Sequence, residues 1–184
     1  MIEWDKSILE FIELCNKYNV KMLLIGGGAV NFYGYQRHSA DLDFWISTDD
    51  NNLQNLISVL QKLGYDINEF PNEIQEQKQN ISLKFSPTSL NIELITKFDV
   101  NKSFEDAFII GKDSFYKGFP QSRYKVIDYN DLILSKIKAS RPKDLLDIKE
   151  IRTYLNCNTS NRNIFVNKIF KHSFPYLLIF WILL

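Results

Sequence analysis

The stretch that most constrains this chain is Gly26 to Ile46, GGGAVNFYGYQRHSADLDFWI. It follows the apolar run VKMLLI, Val20 to Ile25, which reads as a buried strand. Three glycines end that strand, and Ala29 to Tyr35 reads as a short helix. Asp41 to Ile46 then reads as a second strand by its alternation. Leu42, Phe44 and Ile46 point to one face of that strand, and Asp41, Asp43 and Trp45 to the other.

A glycine turn between a strand and a helix start lets backbone N–H groups approach an anion, and the helix dipole favours the negative charge. Two familiar phosphate motifs are excluded. A P-loop needs Lys followed by Ser or Thr after its second glycine. A dinucleotide fingerprint needs a third glycine where Asn31 stands. The aspartates narrow the chemistry further. Two carboxylates leaving one face of a strand repel each other unless a cation lies between them. Carboxylate and phosphate oxygens together suit Mg²⁺, and a pair of such ions can activate a hydroxyl and stabilise a departing pyrophosphate.

The remaining chain reads as an α+β domain with a mixed sheet, helices packed on one side of it, and a helical C-terminal part. Trp4 to Tyr18 is amphipathic at helical spacing, with Cys15 on the apolar face. Ser47 to Asp50 supply a cap for a helix through about Leu63, which Gly64 ends. Ile81 to Phe85 and Leu90 to Thr96 read as strands joined by the turn SPTS, and residues 113–127 as further short strands. A helix spans Asp128 to Ala139. Ser140-Arg141-Pro142 breaks it, and a second helix runs from Pro142 to Tyr154. The expected division is a catalytic domain over residues 1–155 and a tail over 156–184.

Composition excludes several classes. Lys+Arg and Asp+Glu balance at 22 each, so no global basic field is present, although a local patch is compatible with that balance. Two cysteines and two histidines give neither a disulfide framework nor zinc spacing. The N-terminal residues carry no signal-like run, which makes a reducing, cytoplasmic setting the expectation. FPYLLIFWILL, Phe174 to Leu184, is apolar throughout but short of the roughly 20 residues a membrane span needs. It reads as an element that finishes the core or as a sticky surface for self-association or a partner.

The Gly26-Gly27 turn followed by Asp41-Leu42-Asp43 resembles the nucleotidyltransferase superfamily that includes DNA polymerase β and the kanamycin nucleotidyltransferases. Within it, the chain looks like the minimal bacterial and archaeal nucleotidyltransferases related to toxins of abortive-infection toxin–antitoxin pairs. The late segment DLILSKIKASRPKDLLDIKEI, Asp131 to Ile151, carries the same resemblance. It implies a third carboxylate on a neighbouring strand, where Glu93 stands in place of the usual Asp and reaches about one methylene farther. It also implies that Lys136, Arg141, Lys143 and Asp144 flank the nucleotide, and that an antitoxin partner exists. Arg37 and Ser39 either contact a phosphate or shape their loop.

These readings give two expectations. In the first, Asp41, Asp43 and Glu93 hold two Mg²⁺ ions, while Gly26, Gly27 and the cations hold the NTP. A nucleoside monophosphate then passes to an acceptor hydroxyl, which a toxin-type enzyme would find on tRNA or another RNA. In the second, the chain is a non-catalytic nucleotide-binding or protein-interaction module that retains the fold.

Overall fold

The computed structural model describes residues 4–85 and 90–173, with side chains through residue 157. The expected SPTS turn and the apolar tail from Phe174 lie outside the described residues. Helix α1 (Lys6–Lys17) starts where the Asp5 carboxylate accepts from the Ile8 N–H at 3.0 Å, and it buries Ile8, Phe11, Ile12 and Cys15. Strand β1 (Met22–Leu24) leads into α2 (Gly26–Phe32), and β2 (Asp41–Ile46) has the bounds its alternation predicts. Helix α3 (Asp50–Lys62) is capped by Asp49, and Gly64 beyond its end takes φ +90°.

The middle of the chain adds α4 (Asn72–Gln75), β3 (Ile81–Leu83), β4 (Asn91–Ile95), α5 (Phe104–Ile110), β5 (Lys112–Tyr116) and β6 (Phe119–Val126). Helices α6 (Tyr129–Ala139) and α7 (Pro142–Ser173) complete it. The sequence pattern marks neither α4 nor α5. Between α6 and α7, Ser140 takes a left-handed φ of +49°, so the break falls at the predicted residues. Helix α7 continues unbroken across residue 155, the expected domain boundary.

The six strands among the described residues form one mixed sheet in the order β3-β4-β2-β1-β6-β5, the α+β architecture expected. β1 pairs antiparallel with β2 and parallel with β6, while β2 pairs parallel with β4. Every residue of β1 is buried, and successive side chains leave opposite faces, so both faces of the sheet are covered at its centre. The one-sided packing expected from the sequence is therefore incomplete. Trp45 shows why. It shares a face with Asp41 and Asp43 but is closed over by Phe98 and by Phe104 of α5, with ring centroids 5.4 and 5.1 Å away. Asp41 and Asp43, nearer the strand's start, stay partly open.

Candidate active site

The site forms where β1 ends and β2 begins. Ile25 donates its N–H to the Asp43 carbonyl at 2.9 Å, which ties the start of α2 to the carboxylate strand. The helix begins at Gly26 itself, three residues earlier than the pattern suggests, and so the glycines form its first turn. Gly26 has φ +55°, and a Cβ there would overlap Asp43 Oδ2. A Cβ on Gly27 would run into Ser39 and come within 3.0 Å of the Arg37 guanidinium. Gly26, Gly27, Arg37, Ser39 and Asp43 thus pack around one turn.

The carboxylates lie in register. In the parallel β2–β4 ladder, Asp41 stands opposite Asn91 and Asp43 opposite Glu93. Asn91 Nδ2 donates to Asp41 Oδ1 at 3.0 Å. Burial pushes the Asp43 carboxyl up, and the charges of Asp41 and Glu93 push it further, while the Gly27 N–H and Lys143 pull it back. Glu93 leans the other way, because Ser82 Oγ on β3 donates to its Oε1 at 2.5 Å. Among the described residues no three His, Cys, Asp or Glu side chains converge as a formed metal centre. The donor set nonetheless suits a hard divalent cation: three carboxylates stand on adjacent strands, and one of them is raised by burial and by the charges of the other two.

The cations divide into two groups. Arg141 is 60% exposed in its side chain, and Lys143 is exposed; both lie close enough to interact with Asp43. Arg141 Nε donates to Asp144 Oδ2 at 2.6 Å, which pushes the guanidinium up and fixes its direction. Lys136, grouped with them by sequence, is buried instead. Its side chain is 6% exposed, and its Nζ lies 3.1 Å from Asp144 Oδ1 and 2.6 Å from Asp147 Oδ2. Burial alone would raise Asp144, but hydrogen bonds from Arg141 and Lys136 hold it below the usual carboxylate range.

Asp147 is the member that the sequence reading missed. Its 1%-exposed carboxylate also places Oδ1 2.9 Å from Arg37 Nε, an ion pair whose N–H is not aligned on the oxygen. Through it, α7 is fastened both to α6 and to the loop beside the glycine turn. The available signal was the Asp144-Leu145-Leu146-Asp147 spacing, which puts two acids on one helix face. His38 is exposed on the same loop, and its carbonyl accepts from Arg37 Nη1 at 3.0 Å.

A family model described as nucleotidyl transferase AbiEii toxin, Type IV TA system, matches residues 13–175. That span takes in both the glycine–aspartate stretch and the α6–α7 segment. No curated protein matches the chain.

Proposed function

This chain belongs to the family of AbiEii nucleotidyl transferase toxins of Type IV TA systems, and from that premise we propose a Mg²⁺-dependent transfer of a nucleoside monophosphate from an NTP to a hydroxyl of an RNA, with release of pyrophosphate. The family makes the chain a nucleotidyltransferase and sets aside the non-catalytic reading. The observation that carries the finer proposal is the in-register set of Asp41, Asp43 and Glu93, with Asp43 against Gly26 of the glycine turn and Arg141 and Lys143 close enough to interact with it.

In this reading Asp41 and Asp43 hold the metal, and Glu93 joins them on release from Ser82. Bound Mg²⁺ would lower the charge on the triphosphate and the pKa of the attacking hydroxyl. Gly26 and Gly27 let the triphosphate come within reach of backbone N–H groups, because no Cβ stands in the way. Arg141 and Lys143 offset the charge that builds on the leaving pyrophosphate. The acceptor oxygen bonds to the α-phosphorus as the bond to the bridging oxygen breaks, and Glu93 takes the hydroxyl proton. The protein's share of the rate is therefore mostly positioning and charge stabilisation.

Lys136, Asp144 and Asp147 act one layer behind. They hold Arg37 and Arg141 in direction and are not themselves phosphate ligands, since Lys136 directs its charge to two buried carboxylates. The family also brings an antitoxin partner into the reading. No described helix is long and apolar enough to cross a membrane.

The test is to incubate the protein with each labelled NTP, Mg²⁺ and either total RNA or small hydroxyl acceptors. Label moving into RNA, in step with pyrophosphate release, is the expected outcome. Label found only on small acceptors would replace the RNA reading. Absence of any release with all four NTPs would overturn the transfer itself.

A further inference from the structure

The β5–β6 hairpin departs from the charge balance of the chain. Between Lys112 and Val126 stand four cations and one acid, in a protein with 22 of each sign. Lys125 is occupied: it lies 3.4 Å from Asp113 and 5.2 Å from the Phe108 ring centroid. Lys117 and Arg123 are exposed and have no acid partner among the described residues. Aromatic rings are interleaved with these cations. Phe115 is 58% exposed and Phe119 44%, though apolar side chains of that size are normally covered.

Register places two of these groups together. Phe115 stands directly opposite Arg123 in the antiparallel ladder, so ring and guanidinium share one face of the sheet's edge. Clefts of about 650 and 300 Å³ lie along the hairpin, and Phe115 and Tyr124 line both. An exposed ring beside an unpaired guanidinium, with open space on either side, suits flat groups joined by a charged backbone.

We propose that the β5–β6 hairpin docks a single-stranded segment of the acceptor RNA, with Phe115 and Arg123 as its stacking platform. This rests on the RNA-acceptor reading above. Bases stack on aromatic faces and on guanidinium planes whatever their sequence, and nearby cations track the phosphates. The hairpin's open end, at Lys112 and Val126, is the end nearer the site, and Phe115 and Arg123 lie farther along toward its turn. β6 runs parallel to β1, and Val126 is level with Leu24, next to the Ile25 that bonds Asp43. Strand rise and spacing put Phe115 about 20 Å from Asp43, a few nucleotides of extended chain. The platform is therefore within reach of an RNA whose end is held at the carboxylates.

The experiment measures anisotropy of a short, unstructured, labelled RNA with the parent, Phe115→Ala, Phe115→Trp and Arg123→Ala. Phe115→Ala is expected to weaken binding roughly tenfold or more, the loss of one base–aromatic stack, while Phe115→Trp retains it. Arg123→Ala is expected to weaken binding and to lower the salt dependence by about one ion. NTP affinity and thermal midpoint should match the parent in all three, because these side chains are exposed and distant from the cleft. RNA binding unchanged in both alanine variants, with label still entering RNA, overturns the platform and leaves the RNA-acceptor reading intact. A parent that neither binds nor labels RNA removes both. A parent dimer dispersed by Phe115→Ala, with RNA binding unchanged, assigns the face to a second copy and also overturns the proposal.

Discussion

Gly26 is held at φ +55° with Asp43 Oδ2 in the space a side chain would fill. Gly26→Ala would carry two penalties, the left-handed backbone, about 1–2 kcal/mol, and displacement of a carboxylate. The expected outcome is a modest fall in denaturant midpoint with a much larger fall in pyrophosphate release; equal losses in both would make Gly26 purely structural. Lys136 poses the opposite case. Its ammonium is buried between two buried carboxylates, so removing it strands like charges away from water. Lys136→Ala should cost about 3–5 kcal/mol in urea unfolding, whereas Arg141→Ala, at a 60%-exposed side chain, should cost far less stability. A sequence reader meets both residues as cations in one run. Only the fold of α6 against α7 separates the buried one from the exposed one.

Among the elements, those with a strong local signal have the bounds their residues predict. β2 is legible because polar and apolar residues alternate from Asp41 to Phe44, and the end of α3 because Gly64 can take the positive φ that follows a helix. The α6–α7 break is legible because Pro142 cannot continue a helix but starts one well. The lean of Glu93 toward Ser82 was not legible, since it depends on β3 pairing with β4 across a connection the pattern cannot measure. Nor was the role of Asp147, whose partners come from α6 and from the loop after α2.

Helix α3 gives an element-scale prediction for pH. Burial opposes it, but hydrogen bonds from Ser47 and the Asn52 N–H hold the Asp49 carboxyl below its ordinary range. A depressed carboxyl contributes stability that is complete above its unfolded value and lost as pH falls through the folded one. Asp49→Ala should therefore cost about 1 kcal/mol near neutral pH, and less on the acid side, where the parent's cap is already protonated. Chemical denaturation at several pH values checks this, and a cost that stays constant into acid would refute the cap's electrostatic share.

At the scale of the whole molecule, the fold brings four segments to one end of the sheet. The glycine turn follows β1, the aspartates open β2, Glu93 arrives on β4, and the α6–α7 break and the start of α7 bring Arg141 and Lys143 from late in the sequence. The buried cluster of Lys136, Asp144 and Asp147 locks that last arrival to the loop carrying Arg37. The central claim is that this end of the sheet transfers nucleotides through its carboxylates, and Asp43→Asn tests it most directly because the change keeps the shape and removes a charge. The measurement is pyrophosphate release beside NTP affinity by calorimetry, for variant and parent. The account predicts that release is abolished while the protein stays folded and still binds NTP, more weakly, through the glycine turn, Arg141 and Lys143. Release at the parental rate in Asp43→Asn would contradict it.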